Sequence, residues 1–348
     1  MARLAPWLLL LAAALVLAGC SGGDDDDATA PTDTVEVEEP APPVEPLQIA
    51  LVTDTSGRND GGVNELAAEG LEAAIEQFGV AGRVVEPKAE ADYLADLKSL
   101  AGEGVDLIIS VGPALARATH RAADEFPDTS FATIDATFGG AGCGATDSCE
   151  LPNLLGVVFR EEEAGYLAGY LAGLESKAGT VSGIAMKGDP ASERYLAGFE
   201  RGALHANSNS VLVLRATAPN KASCRALALE QVETGADIVF EASSACEARA
   251  LGAAADEGVR AIAADVDRRD LGSHIVATAV KNVHVAVFKT IDAVRGGAFE
   301  GGGTVVLGLA EEGVGVSSVQ AGQKVLEALE LRRRSIVRGE IEIPTELP

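Results

Sequence analysis

The sequence predicts an α/β protein of two lobes, each a doubly wound, mostly parallel sheet, with a ligand cleft between them. Three observations lead there. Short apolar runs of strand length alternate with helical stretches along nearly the whole chain, and the alternation passes through two full series. The runs are near-continuous in apolar residues, as expected of strands covered on both faces. Polar and charged residues cluster just after the runs, where open parallel sheets hold their ligands.

The first series starts with a strand over Leu47–Val52. After a polar loop, Leu66, Gly70, Leu71, Ala74, Ile75 and Phe78 fall on one helical face. Strands follow at 83–85, 106–111, 131–134 and 154–159, with helices at about 91–102, 113–125 and 161–174. The second series has strands at 180–186, 211–215, 237–241 and 259–263, with helices at about 190–206, 221–234 and 245–257. The last third adds a strand at 274–278, a helix at about 281–295, short strands at 304–309 and 314–317, and a helix at about 322–338.

The amino terminus reads differently. Arg3 precedes the apolar run Trp7–Val16, which is too short to span a bilayer, and Leu17-Ala18-Gly19-Cys20 closes it with small residues before a cysteine. This is the pattern of a bacterial lipoprotein signal over residues 1–20. It implies diacylglycerol on Cys20, an anchor worth about 0.8 kcal/mol per buried CH₂. The expected location is therefore extracytoplasmic, tethered to the cell membrane. Residues 21–46 carry Asp24–Asp27, Asp33, Glu36, Glu38, Glu39 and Glu45, no basic residue, and five prolines. Such a segment has too little apolar surface to form a core and should be an extended, disordered linker.

The formal charge of the 348-residue chain is −26. Setting aside nine linker acids and Arg3 leaves 44 acids against 26 bases, a balance of −18. Nucleic acid is excluded as a partner on these grounds. Besides Cys20 there are Cys143, Cys149, Cys224 and Cys246, an even set suited to an oxidising compartment. Four cysteines allow three pairings. Proximity favours Cys143 with Cys149 and Cys224 with Cys246, and the sequence does not choose among them. No CxxC occurs, and His120, His205, His274 and His284 show no metal-ligand spacing, so no metal or cofactor is expected.

Candidate site residues sit at strand ends. Asp54, Asn59, Asp60 and Asn64 follow the first strand, where they serve either a ligand or the turn and the helix N-terminus. Asp135 ends a strand of the first series and Asp265 one of the second, with Asp267 two residues on; carboxylates there can accept hydrogen bonds from ligand hydroxyls or cap the next helix. Lys281 opens a helix, an unfavourable place for a cation on dipole grounds, which points to a functional reason.

Several segments then resemble one family. Asn153-Leu-Leu-Gly-Val-Val-Phe159-Arg-Glu-Glu-Glu-Ala-Gly165-Tyr166-Leu167-Ala168-Gly169 is similar to the signature of the basic membrane protein (BMP) lipoproteins, substrate-binding components of ABC importers, several of them for nucleosides. The loop Asp54–Asn64, Phe126-Pro127-Asp128 to Asp135, Pro190–Gly202, Gly235–Phe240, Asp265-Val266-Asp267 and Thr278–Lys281 match further motifs in order, from Leu47 to Pro344. The resemblance implies a two-lobed periplasmic-binding-protein type I fold. Its N-terminal lobe would cover 47–160 with part of about 280–308, and its C-terminal lobe 161–279 with part of about 309–344. It implies a nucleoside-like ligand and an ABC permease as partners. Asp135 and the Asp54/Asn59/Asp60/Asn64 loop would face the base, Asp265 and Lys281 would hold the sugar hydroxyls, and Tyr195 would take the place of a stacking Phe. Val63 stands where the family has its second stacking Phe, which removes one face of the sandwich unless another ring such as Phe138 replaces it. Ser243-Ser244-Ala245-Cys246 lacks the glycines expected in that loop.

Two other functions bear on the same residues. A sensor lipoprotein presenting a solute to a membrane receptor would share the fold. An exported hydrolase would need nucleophile or metal motifs, and no GxSxG, HExxH or P-loop occurs. Binding, not catalysis, is the expectation.

Overall fold

The computed structural model describes residues 45–138, 151–206 and 211–347. Cys20, the linker before Glu45, Cys143 and Cys149 lie outside them. Among the described residues, twelve strands form two six-stranded sheets.

The first sheet is built from β1 (Gln48–Val52), β2 (Ala81–Val85), β3 (Leu107–Val111), β4 (Ser130–Ile134), β5 (Leu154–Phe159) and β11 (Gly303–Leu307), in the order β11-β5-β4-β3-β1-β2 with every pairing parallel. The second holds β6 (Thr180–Met186), β7 (Leu212–Ala218), β8 (Ile238–Glu241), β9 (Arg260–Asp265), β10 (Ile275–Lys281) and β12 (Val314–Ser317), in the order β12-β10-β9-β8-β6-β7. Only β12 runs antiparallel, against β10. The continuous apolar runs become strands buried along their length, as in β3 (LIISV), which helices on both faces keep from water. Strand order reverses between β1 and β3 and again between β6 and β8, so each sheet has a switch point at its carboxyl edge.

Nine helices cover the sheets among the described residues: α1 (Val63–Phe78), α2 (Tyr93–Gly102), α3 (Ala116–Glu125), α4 (Glu161–Glu175), α5 (Pro190–Ala206), α6 (Ser223–Glu233), α7 (Arg249–Asp256), α8 (Val283–Arg295) and α9 (Gln323–Val337). Helix α1 ends at Gly79 in the left-handed conformation, its N–H bonded to the Ile75 carbonyl. Its buried face comprises Asn64, Ala67, Ala68, Gly70, Leu71 and Ala74, so Ile75, expected on that face, lies at its exposed edge.

One helix departs from expectation. The stretch 245–257 is not continuous: a 3₁₀ turn over Ser244–Cys246 is followed by Glu247 and Ala248, both at positive φ, before α7 begins at Arg249. Two constraints produce the break. Cys246 is disulfide-bonded to Cys224 at the start of α6, with a Cα–Cα distance of 5.9 Å. The Glu241 carboxylate, reaching over from the end of β8, accepts from the N–H groups of Ala248, Ala250 and Leu251 and so serves the start of α7 in place of a local cap.

The chain passes between sheets three times, after β5, after β10 and between β11 and β12. The three passages are stitched together. Arg160 N–H donates to Leu307 O, Leu309 N–H to the Glu163 carboxylate, and Asn282 N–H to Gly313 O. Helices α4 and α5 pack face to face through glycines, and α4, buried nearly all round, has no polar face.

Candidate functional site

Because the strands of both sheets deliver their carboxyl ends to the gap between the lobes, loops from each converge on one cavity of about 390 Å³. The first lobe contributes Val63, Pro113, Asp135, Thr137 and Val158. The second contributes Asp189, the start of α5 through Pro190, Ala191, Ser192, Arg194 and Tyr195, the loop Ala242–Ala245, and Asp265, with Lys281 at the passage back to the first lobe. A hollow of about 450 Å³ at the opposite, amino-terminal edge of the first sheet is lined by Gln48, Ile75, Arg83 and Glu103. Its two charged residues are half exposed and paired with each other, so the buried ionisable chemistry lies in the smaller cavity.

At the floor of that cavity Lys281 ends β10. Its side chain is 4% exposed, with Nζ 2.8 Å from Asp135 Oδ2, 3.5 Å from Glu161 Oε1 and 3.8 Å from Asp265 Oδ1. The ammonium also lies 5.5 Å from the centre of the Phe159 ring. Burial pulls the Lys281 pKa down, but Asp135, Asp265 and Glu161 outweigh it and hold the group above the ordinary lysine range. Glu161, 0% exposed, receives Arg194 Nε at 2.7 Å. Burial pushes the Glu161 carboxyl up, and Lys281 and Arg194 act against that.

Asp135 and Asp265 both take positive φ, 61° and 65°, at the ends of their strands. Left-handed backbone costs an Asp less than most residues, and it turns each carboxylate back across the strand end. Asp265 Oδ2 accepts the Ser244 N–H at 3.2 Å, while Oδ1 has no hydrogen-bond partner among the described residues. The buried Tyr195 hydroxyl lies near the Asp265 carboxylate without completing a hydrogen bond of good geometry, and burial together with that carboxylate raises its pKa well above the tyrosine range. An acceptor ion-paired with Lys281 at 3.8 Å and a hydroxyl near the same carboxylate thus have hydrogen-bonding capacity left over among the described residues. A ligand hydroxyl pair offers what both need.

The structure brings Asp135, Tyr195, Asp265 and Lys281 together. It does not bring Asp54, Asn59, Asp60 or Asn64 onto the cavity wall. Asp54 Oδ1 accepts from Ser56 N–H and from Asn64 Nδ2, both at 2.8 Å. Asp60 accepts from the N–H groups of Gly62, Asn64 and Glu65 and caps α1, and Asn59 is exposed. In this structure Asp54, Asp60 and Asn64 make turn and cap hydrogen bonds. Phe138 is buried in the first lobe, its backbone bonded in both directions to Thr304 Oγ1, and does not stand in for the missing ring at Val63. Glu161, Arg194 and Asp189 were not singled out from the sequence. Arg194, near the amino end of a helix, carries the same dipole conflict that marked Lys281. The lobes also touch directly where Arg268 Nη2 donates to Gly61 O at 2.7 Å.

The loop that supplies Ser244 rests on Glu241. Burial pushes the Glu241 pKa up to about 7, against the pull of three backbone N–H donors, and burial pushes Glu162 up to about 6. A carboxyl whose native pKa exceeds its unfolded value contributes stability that is full below about 4.5 and lost as pH rises through the native value. The melting temperature should therefore climb as pH falls from 8 to about 5, with Glu241 alone worth about 3 kcal/mol over that window. Calorimetry across that range checks this. A melting temperature that falls steadily on acidification from pH 8 to 6, or a Glu241→Gln variant with an unchanged slope near 7, would sink the assignment.

With fold and site in hand, known proteins supply the family. The profile of the Bmp family, described as ABC transporter substrate-binding protein PnrA-like, matches residues 47–346. Basic membrane protein B of Borreliella afzelii is 30% identical over 267 residues, covering 73% of this chain and 74% of that protein. The ABC transporter nucleoside-binding protein BmpA of Lactococcus lactis subsp. cremoris is 24% identical over 324 residues, covering 86% and 90%. Among solved structures, an ABC transporter solute-binding protein from Aeropyrum pernix is similar with a TM-score of 0.69 and 22% identity, covering 87% of this chain and 94% of that one. A transcriptional activator of the comK gene from Bacillus halodurans is similar with a TM-score of 0.73 and 21% identity, covering 85% and 99%. Those last two likenesses concern the fold, which is the two-lobed one expected. The chain belongs to the Bmp family of PnrA-like ABC transporter substrate-binding proteins.

Proposed function

We propose that this protein is the membrane-anchored receptor of an ABC importer and that it closes its two lobes on a neutral nucleoside. The observation that carries the reading is the buried cluster in which Lys281 orients Asp135 and Asp265 while Asp265 Oδ1, held only by its ion pair at 3.8 Å, and the nearby Tyr195 hydroxyl complete no hydrogen bond among the described residues. Carboxylates accept and do not donate when ionised, so a vicinal diol is a natural complement, each charge-assisted bond being worth about 1.5–3 kcal/mol. A cavity of 390 Å³ falls within the usual range for small-molecule sites, roughly 300–1,000 Å³.

Four carboxylates, Asp135, Glu161, Asp189 and Asp265, face two cations, Lys281 and Arg194. The excess negative charge disfavours a phosphate on the ligand, which separates nucleosides from nucleotides. The relative named as a nucleoside-binding protein agrees with this choice. Lipid attachment at Cys20 and delivery to a permease complete the proposal; fractionation of a Cys20→Ala variant tests the anchor.

Calorimetric titration with nucleosides, free sugars, amino acids and nucleoside monophosphates tests the ligand. Nucleosides should bind in the micromolar range or tighter, and their 5′-monophosphates at least about tenfold more weakly. Binding of an amino acid or a free sugar in preference to every nucleoside would refute it.

A further inference from the structure

The diol reading accounts for Asp265 and Lys281 and leaves a second cation on the cavity wall without a role. The flanking aromatic sandwich is incomplete: Val63 lines the wall where a ring was expected, and Tyr195 is buried against Phe240 at an edge-on angle of 79°. Stacking therefore supplies little discrimination, and selection must come from polar groups. The wall holds two cations. Lys281 is engaged by three carboxylates. Arg194 makes one side-chain hydrogen bond, from Nε to Glu161 Oε2 at 2.7 Å, with Glu162 and Asp135 also acting on its charge, and its two Nη groups have no hydrogen-bond partner among the described residues. The side chain is 27% exposed, and it lines the cavity.

Resting on the nucleoside reading above, we propose that Arg194 determines base specificity, its Nη groups selecting a base that presents a paired acceptor edge, an oxo oxygen beside a ring nitrogen, over one that presents an amino group. Glu161 fixes the guanidinium plane from behind, because Nε is held and the carboxylate is wholly buried. A planar guanidinium so fixed offers parallel N–H donors, the complement of the O6 and N7 pair of an oxopurine. Adenine places an N6 amino group where O6 would lie, and that group would meet like donors across the contact. Arg194 connects to the diol end through three successive ion pairs, 2.7 Å to Glu161, 3.5 Å on to Lys281 and 3.8 Å on to Asp265. Arg194 and Asp265 line the same cavity, so one ligand occupying it meets both.

The test is calorimetric titration of the wild-type protein, Arg194→Met and the double variant Glu161→Gln/Arg194→Met with inosine and with adenosine. The double variant removes the carboxylate along with its partner and so avoids leaving Glu161 without the guanidinium. Wild type should prefer inosine by roughly 10–100-fold, and in both variants the preference should shrink to within about threefold. A residue that merely supports the fold would weaken both ligands alike and keep the ratio. Equal affinity of wild type for the two nucleosides, or a preference that survives both variants, overturns the role of Arg194 while leaving the nucleoside reading intact. Failure of wild type to bind either nucleoside overturns both.

Discussion

Asp265→Asn should weaken ligand binding by at least about 100-fold while leaving the empty protein folded. The size of the effect follows from charge. Asp265 Oδ1 is ion-paired with Lys281 at 3.8 Å but accepts no hydrogen bond among the described residues, so a ligand hydroxyl that reaches it gains a charge-assisted bond, and each such bond is worth about 1.5–3 kcal/mol. An amide keeps one acceptor and turns the other into a donor. A hydroxyl pair arranged for two acceptors then loses at least one bond and faces a misdirected N–H.

The fold should tolerate the change for three reasons. Asn accepts the left-handed backbone at φ 65° as readily as Asp does. Its oxygen can still receive the Ser244 N–H. Lys281 keeps Asp135 at 2.8 Å and Glu161 at 3.5 Å, so no buried cation is stranded. Asp267→Asn serves as the control, since Asp267 is 31% exposed, pairs with Arg269 and does not line the cavity. Its affinity should stay within about threefold of wild type, a difference under about 1 kcal/mol. Titration of both variants with the same nucleoside decides the matter. Small and equal losses at 265 and 267 would show that Asp265 is a loop carboxylate only.

Which of these groups could be read from the sequence follows from how local their causes are. Strands and helices were legible because burial on both faces leaves unbroken apolar runs, and a run such as Leu107–Val111 needs no partner to be recognised. Lys281 and Asp265 could be singled out for a different reason: each sits at a strand end, Lys281 where the helix dipole disfavours a cation and Asp265 where a carboxylate serves either a ligand or a helix cap. The split in the helix after Cys246 was not, because its causes are Cys224 and Glu241, which act through space from other elements. Nor was the role of the loop after β1. Asp54, Asp60 and Asn64 have the composition of a ligand loop and of a helix cap alike, and the bonds they make to one another and to the helix start appear only in three dimensions. Glu161 and Arg194 meet across 33 residues of chain, and a pairing of that separation leaves no pattern in a single sequence.

The stability of the same site should hinge on a residue that touches no ligand. Helices α4 and α5 approach so closely that an ideal Cβ built on Gly169 falls 1.9 Å from the Phe199 carbonyl oxygen and 2.6 Å from its carbon. Gly165 meets the Tyr195 carbonyl at 2.2 Å, and on the opposing helix Gly198 and Gly202 meet the Glu162 and Tyr166 carbonyls at 2.0 Å each. Real Cβ contacts are not shorter than 3.0 Å, so one methyl group at 169 requires the two backbones to part by about an ångström. That separation would undo packing along the whole face, for the remaining glycines are placed for the same distance.

It would also reach the cavity, because α4 begins with Glu161 and α5 carries Arg194 and Tyr195. Gly169→Ala should therefore destabilise by more than about 4 kcal/mol, beyond the 1–3 kcal/mol usual for overpacking, since backbone and not a flexible side chain must move. The expected result is a protein that is insoluble or melts at least about 10 °C lower. Gly102→Ala gives the contrast: that glycine ends α2 with open space around it, and alanine there should be neutral or stabilising by up to about 1 kcal/mol. Thermal unfolding of the two variants beside wild type measures both. A Gly169→Ala protein melting within about 2 °C of wild type would mean that the helices are not in contact at this distance and that the interlock does not set the geometry of the site.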